Sequence, residues 1–547
     1  MKNTINKTLF IMTFIGFLLT FFSCEDVLET KVYDKIVPES FFKNEADLQA
    51  AVVGVSQYIS GRGASGTSMP LYTSHVITYF ITSRLTTDEL EGFWEQVLNR
   101  WTWTPSSGDI NNTWDYVSIC AKITELIDQF EKVTDVDKAI VDEYIAELRG
   151  VRAQYMHVLY TSFGPVNIKL NPENLADETP TPRLTNEEWI TAFEDDLNAV
   201  LNSNLAERRG KGTDEWGLVS KDYFRMLAIR HYMFQHDWAK AESYCREIIN
   251  SGAYSLVTEG DGEFSAYDVA VSQCPNSETI FSTPANSKFG NIWCTECLPG
   301  SGIATQGPGA GYTLQGWYGL GMPWEHYHKL WGHVGDNSFD KDDRCATLMY
   351  EYQDRAGKIA KENPTEEGES LLRAAVPAKF SNWYLANQLM ATEYIIEQPV
   401  YRLAEVYLTL AECIVRQNGI TDEALGYVKA VRERAGLSSD FSTDLTPGQD
   451  NPTSSADAFI DFLLWERGRE LYCEGQRRED LIRYGMFEQR AMDQGWISSV
   501  SQSSFRRLFP IPDNTILQGE GVITQNPGYT VPNGNGYYNV TDLPVYN

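Results

Sequence analysis

The densest chemistry in the chain lies between Trp465 and Gly485, where Glu466, Arg467, Arg469, Glu470, Glu474, Arg478, Glu479, Asp480 and Arg483 crowd together. Guanidinium groups in that number could hold a phosphate or an acidic substrate. The spacing favours another use. Glu466, Arg467, Glu470 and Glu474 recur at helical intervals, which predicts lateral ion pairs that hold packed helices together. Asp336, Asp340, Asp342 and Asp343 offer hard oxygens for calcium, but without the central glycine and final glutamate of an EF-hand. A solvated loop in which Asp343 pairs with Arg344 is expected there instead. His326 and His328, two apart, would point to different faces of a helix. No HExxH, GxSxG or Walker loop occurs. Glycoside hydrolysis needs two carboxylates set across a bond, and nothing among the 75 acids selects such a pair. The expectation is therefore a chain with no catalytic residue, no cofactor and no metal ligand.

Sulfur chemistry is equally sparse. Cys294 and Cys297 form a CxxC with Cys274 upstream, but two further zinc ligands are not suitably spaced. A redox motif would open a helix after a strand, which this segment does not resemble. A local disulfide or free thiols remain. Cys120, Cys245, Cys413 and Cys473 fall in helical patterns, where a thiol packs as a small hydrophobe.

Aromatic residues make up 12% of the chain, with 14 Trp and 29 Tyr. A Trp or Tyr face covers the polarised C–H patch of a pyranose ring while nearby Asn, Asp and Arg bond its hydroxyls. Two stretches hold that mixture. Arg84 to Trp103 carries Asp88, Glu89, Trp94, Asn99, Trp101 and Trp103; Tyr312 to Trp331 carries Gln315, Trp317, Tyr318, Trp324, Tyr327 and Trp331. Trp317 and Tyr318 lie among glycines and should be exposed, whereas Trp324, Tyr327 and Trp331 recur at helical spacing and should be core. The candidate ligand-binding set is Trp317, Tyr318, Tyr312, Gln315, Trp94, Trp101, Arg84 and Asp88.

The N-terminus predicts an address. Lys2 and Lys7 precede an apolar run from Leu9 to Phe22, then Ser23 and Cys24. That order is a secretory signal ending at a cysteine that becomes the first mature residue and carries acyl chains such as palmitate. Phe21 stands where lipoboxes prefer Leu, and an ordinary signal peptide or a short anchor helix is the alternative. Removing residues 1–23 takes away two lysines and no acids, so the net charge of −30 becomes −32. Such a balance argues against nucleic-acid binding, because phosphate neutralisation needs clustered Lys and Arg. No later segment is apolar for long enough to cross a bilayer.

Helical periodicity dominates the elements that must position these residues. Asn44 with Asp47 predicts a helix start, followed by Leu48, Ala51, Val52, Val55 and Ile59; a Gly- and Ser-rich loop from Gly61 to Ser68 follows. Thr113 is the expected cap of a helix with the stripe Ile119, Ile123, Leu126, Ile127 and Phe130. Another helix is predicted from Lys138 to Ser162, before Phe163-Gly164-Pro165. Ser220 opens a helix, and a turn at Gln235-His236-Asp237 leads to its partner, a tetratricopeptide-like hairpin. That pattern returns at Tyr401, Ala404, Leu408 and Ala411, then at Ala424, Val428 and Val431. Residues 251–399 are rich in Gly, Pro and aromatics and read as a loop-rich ligand face. In the tail, Pro510, Pro512, Pro527 and Pro532 argue against regular helix. The divisions are thus 1–23 (signal), 24–250 (N-terminal helical region), 251–399 (aromatic insertion) and 400–547 (C-terminal helical region and tail).

The run Trp465-Glu466-Arg467-Gly468-Arg469-Glu470-Leu471-Tyr472-Cys473-Glu474-Gly475, continued by Arg478-Glu479-Asp480-Leu481-Ile482-Arg483-Tyr484-Gly485, resembles the signature of the SusD/RagB outer-membrane lipoproteins. Phe509-Pro510-Ile511-Pro512, Gln525-Asn526-Pro527-Gly528-Tyr529, the helix from Tyr401 to Leu408, and Arg152, Tyr155, Tyr160 and Phe163-Gly164-Pro165-Val166 resemble other parts of that family. Glu25-Asp26 resembles its acidic export signal. The resemblance implies a mostly α, SusD-like fold: tetratricopeptide-like hairpins as scaffold and a more irregular ligand-binding half. It also implies a cell-surface, lipid-anchored binding protein for oligosaccharides, or less often peptides, that sits as a lid on a SusC-like TonB-dependent transporter. Relatives draw their ligand site from segments at about the two aromatic stretches named above.

Overall fold

The computed structural model describes residues 42–60, 79–94, 96–211, 213, 216–284, 296–307, 309–333, 341–381, 396–443, 445 and 450–546. The lipidation candidate Cys24, Glu25-Asp26, the 61–68 loop, Cys294, Asp336 and Asp340 lie outside the described residues. No helix among the described residues is long and apolar enough to cross a membrane.

Several helices begin where a side chain accepts an otherwise orphaned N–H. Asn44 Oδ1 accepts from Asp47 at 3.2 Å ahead of Glu45–Ser60. Asp137 accepts from Ala139 at 2.8 Å ahead of Lys138–Phe163, which stops at Gly164 in the left-handed region (φ 73°). Ser220 caps Lys221–Phe234, and Asp237 caps Trp238–Asn250 across a turn of three residues. Thr113 is not a cap. Residues Gly108–Trp114 are themselves helical, which places Thr113 in their last turn, and Tyr116–Glu131 starts after Asp115 without a side-chain cap.

The scaffold helices pack on their successors: Tyr116–Glu131 on Lys138–Phe163, then Asn186–Leu201, Lys221–Phe234 and Trp238–Asn250. Trp238–Asn250 next packs on Leu403–Asn418, which packs on Asp422–Arg434 and Ala456–Glu470. The insertion therefore leaves and re-enters the helical stack at a single layer. A strand pair closes its neck, Thr279–Thr283 antiparallel to Gln398–Arg402, with Tyr401 opposite Phe281. Tyr401 is thus a strand residue; the β-branched and aromatic pair Val400-Tyr401 favours the ladder, and the helix starts only at Leu403.

Inside the insertion, short strands form a five-stranded sheet in the order Thr313–Leu314, Gly302–Ala304, Glu351–Gln353, Ile359–Lys361, Glu369–Leu371. Only its last pair is parallel. The insertion also contains the helices Ala266–Ser272 and Trp324–Trp331. In the tail, Asp513–Gln518 forms a short helix immediately after Pro512. A proline obstructs a helix interior but not the position before its first residue, so the expected absence of regular helix does not hold there.

Close packing in the stack gives one testable consequence. A Cβ on Gly150 would lie 2.6 Å from Phe224 Cζ and 2.9 Å from Val200 Cγ1, and both neighbours are wholly buried. Alanine gains about 1 kcal/mol in a helix interior, whereas overpacking a filled core costs about 1–3 kcal/mol. Gly150→Ala should therefore lose about 1 kcal/mol of stability in denaturant unfolding, and a gain would overturn this account of the contact.

The acid- and Arg-rich block holds packed elements together, but not through the pairs its spacing suggests. Glu466 bonds Arg344, Arg432 and Arg469, on other elements or one turn away; Glu470 bonds Arg402, Arg434 and Arg344; Glu474 bonds Arg402 and Lys379. Glu278 joins through Arg402 and Arg434 at 2.8 Å each. Arg467 turns away from Glu470 to Asp480 (2.8 Å) and Thr409 (3.0 Å). Arg344 forks onto Asp342, at 2.8 Å to each oxygen, instead of Asp343 pairing with it in a solvated loop. These side chains are almost entirely buried, so they are core ion pairs rather than surface lateral ones. Burial opposes ionisation of Glu466, but Arg344, Arg432 and Arg469 outweigh it and hold the carboxyl at about 2.

Candidate functional site

Two strands of two residues each bring the aromatic stretches together. Glu91–Gly92 pairs antiparallel with Leu320–Gly321, and Phe93 N–H extends the contact to the Gly319 carbonyl at 2.8 Å. From the other side, the N–H groups of Gly316, Tyr318 and Gly319 donate to the carbonyls of Pro299, Leu298 and Glu296 at 2.9, 2.9 and 2.7 Å. Both margins of the segment are thus pinned by backbone bonds. Trp94 then lies against Gly319: a Cβ there would sit 2.4 Å from its Cζ3. Only the missing side chain allows the ring that position.

Trp94 is 53% exposed and Trp317, two residues from Gly319, is 51% exposed. They are the exposed tryptophans among the described residues, and Trp94 rests against Gly319, two residues after Trp317. Tyr318 between them and the backbone has φ 51°, in the left-handed region that an aromatic residue seldom adopts. This breaks the in–out alternation of the strand. Tyr318 packs edge-to-face on Phe93 at 5.0 Å, and Arg373 lies over the other aromatic partner of that pair, 4.4 Å from the Phe93 ring centroid.

Glu91 and Gln96, close to Trp94 in the chain, line a polar cleft of about 350 Å³ together with Arg100, Arg373 and Trp496. Arg373 is ion-paired with Glu91. Flat apolar faces next to amide, guanidinium and carboxylate groups can stack a sugar ring and bond its hydroxyls; no pair of carboxylates with a nucleophile is needed for that.

The remaining sequence candidates divide. Gln315 is exposed, and Tyr312 and Tyr318 are half-buried. Arg84, Asp88 and Trp101 are buried and do not reach the surface, which corrects their assignment as ligand contacts. Leu85, Leu90 and Leu98, all at 0% exposure, draw this stretch into the core, so its polar groups must find internal partners. Asp88 accepts both forks of Arg477, at 2.8 and 2.7 Å, and faces His326 at 3.2 Å. Burial pushes its carboxyl up, but Arg477 and His326 prevail and hold it well below the usual carboxylate range. Trp101 Nε1 donates to the Thr86 carbonyl at 3.1 Å, and its ring lies 4.4 Å from Phe487. Asn99 is internal too: it accepts from Gly92 N–H at 2.7 Å and donates to the Leu85 and Leu90 carbonyls, which fixes the platform strand from below.

Tyr327 and Trp331 are core, and half-buried Trp324 donates to the Leu372 carbonyl at 3.0 Å. Burial raises the thiol of Cys274 to about 12, and Cys297 is buried. Arg373 and Trp496 escaped the sequence reading: Arg373 follows a strand with no periodic signal and Trp496 follows an isolated glycine, so nothing local marks either as surface-forming.

Residues 326–529 match the SusD family model. The chain is 26% identical over 507 residues to the starch-binding protein SusD of Bacteroides thetaiotaomicron, covering 83% of this chain and 85% of that one. A SusD-like protein of Formosa agariphila is 22% identical, covering 92% and 95%. Among solved structures, a laminarin-binding SusD-like protein superposes with a TM-score of 0.66 at 21% identity, covering 89% of this chain and all of the other. A surface glycan-binding protein A from Bacteroides fluxus gives 0.64 at 19% identity, with 89% and 100% coverage. The signature block lies within the residues that match the SusD family model, and the helical stack with its inserted loop-rich half shares the fold of SusD superfamily structures.

Proposed function

We propose that this chain is a cell-surface lipoprotein, anchored through Cys24 after removal of residues 1–23. It captures oligosaccharide or polysaccharide and delivers it to a SusC-like TonB-dependent outer-membrane transporter. It acts by binding, without catalysis and without nucleic acid. The observation that carries this reading is the pair of exposed indoles: Trp94, which rests against Gly319 and follows the cleft residue Glu91 in the chain, and Trp317, two residues before Gly319. Support comes from relatives named for binding starch and laminarin. Stacked rings contribute on the order of 1 kcal/mol each beyond their area, so affinity in the micromolar range is expected.

Titration of residues 25–547 with a panel of glycans, following Trp fluorescence and heat, tests the proposal. Saturable binding by one glycan class supports it. Binding of peptides alone would replace the glycan by a peptide cargo, and no binding at all would leave a structural surface protein.

Gly319→Ala provides a subtler test. The new methyl would collide with the Trp94 ring, which can swing into solvent because it is half exposed. Stability should change by less than about 0.5 kcal/mol, while glycan affinity should fall severalfold. Unchanged affinity would mean that the position of Trp94 against Gly319 is irrelevant to the ligand.

A further inference from the structure

The helix Trp324–Trp331 ends at Gly332, whose φ of 78° reverses the chain at once. That reversal lays His333 beside His328 in the preceding turn, with ring centroids 3.9 Å apart. Glu362, the residue after the strand Ile359–Lys361, reaches the same point: its Oε2 is 3.1 Å from His328 Nε2. One ligating atom from each of His328, His333 and Glu362 lies within 4.8 Å of the other two. His328 and Glu362 are half-buried and His333 is exposed, so the group has fixed walls and an open mouth. The His328 ring is backed by Trp324, stacked at 6.1 Å, and by Tyr327 edge-on at 6.0 Å.

We propose that His328, His333 and Glu362 form a binding site for a divalent transition cation of the zinc class, with water in the fourth position. Two imidazoles and one carboxylate suit zinc, whereas calcium and magnesium take oxygen ligands. Bonds of about 2.0–2.1 Å to a tetrahedral ion place its ligand atoms about 3.4 Å apart, inside the span these three atoms already occupy. Ligation needs neutral imidazoles. The ion would tie the end of the Trp324–Trp331 helix to the five-stranded sheet, joining two elements of the insertion that otherwise share few backbone bonds. Spacing along the chain hides this site, because Glu362 belongs to a different element and His326 faces Asp88 instead.

The test uses the purified, untagged protein stripped with chelator, titrated with Zn²⁺ by calorimetry and with Co²⁺ by visible absorption. One equivalent of Zn²⁺ is expected, weakened at least about tenfold in His333→Ala and in Glu362→Gln. Co²⁺ should give the intense bands of a tetrahedral site in the parent protein and lose them in His333→Ala. His333 is exposed, so its replacement should leave the unfolding midpoint in chelator unchanged and separate lost ligation from lost folding. Equal Zn²⁺ affinity in the parent and both variants would overturn the proposal and assign uptake to scattered surface carboxylates. Absence of saturable binding would overturn it as well. No glycan enters the measurement, so its outcome is independent of the function proposed above.

Discussion

Removing both exposed indoles, as Trp94→Ala with Trp317→Ala, should weaken binding of the cognate glycan about a hundredfold, and each single change about tenfold. The magnitude follows from what a ring face does. A stacked sugar gains about 1 kcal/mol of specific contact in addition to the apolar area it covers at roughly 25 cal/mol per Å². A tenfold loss corresponds to about 1.4 kcal/mol, so one ring suffices for each factor of ten. Both side chains are about half exposed, and neither indole is part of the packed core, so unfolding midpoints should stay within about 0.5 kcal/mol of the parent. Calorimetric titration decides between two uses of the surface. If the two losses add, each ring stacks its own sugar residue; if the first loss already equals the double loss, both rings grip the same unit. Retention of parental affinity by the double variant would remove the platform from the functional account.

The second large effect concerns Arg402, which serves three carboxylates from two parts of the chain. It donates to Glu278 at 2.8 Å and to Glu474 at 2.7 to 3.0 Å, pairs with Glu470, and also donates to the Glu470 carbonyl at 2.6 Å. Arg402→Met keeps much of the volume but leaves those carboxylates short of a cation in a site without solvent. Removing one partner of a buried pair costs about 3–5 kcal/mol, several times an exposed pair's worth. Denaturant unfolding should show a loss of that size, and a change below about 1 kcal/mol would mean that the remaining cations compensate. The same network predicts how acid acts. Glu466 and Glu412 are held at about 2, each by arginines that outweigh the effect of burial, against a usual glutamate value of about 4.3. A carboxyl depressed in the folded state contributes stability that is fully present above the unfolded value and disappears as pH falls toward the folded one. Stability should therefore decline between about pH 4.3 and pH 2 through these groups, and Arg402→Met should move the acid transition to higher pH.

Much of the helical scaffold was legible because its signals are local. Ser220, Asp237 and Asn44 cap the helices that their spacing announced, and Gly164 ends the long one. The purpose of the Arg-rich block was legible too, since so many charges in an apolar helix pattern must neutralise one another. Which acid meets which arginine was not. Arg467 prefers Asp480 and Arg344 prefers Asp342 because partners are chosen by packing across elements, which spacing along one helix does not encode. The aromatic surface shows the same division. Its two contributing stretches stood out by composition, but residue types alone gave Arg84, Asp88 and Trp101 the same weight as Trp94. The flanking leucines turned the first three inward, and a two-residue strand, too short to carry any alternation, set Trp94 against Gly319.

Trp103 ties the N-terminal aromatic stretch to a partner 426 positions further along the chain. Its indole N–H lies buried and donates to the Tyr529 hydroxyl at 2.8 Å, while its ring packs edge-on against Phe509 at 5.4 Å. Tyr529 in turn donates to the Leu508 carbonyl, and Arg183 bonds Asn526 at 2.8 Å. The floor beneath the N-terminal aromatic stretch is therefore supplied by residues synthesised long after it. Until they arrive, a large apolar ring with an unsatisfied donor has no resting place, and the segment carrying Trp94 has no rigid support. A product truncated before residue 529 would lack these partners and could not hold the segment carrying Trp94 in place, however well its earlier helices had formed.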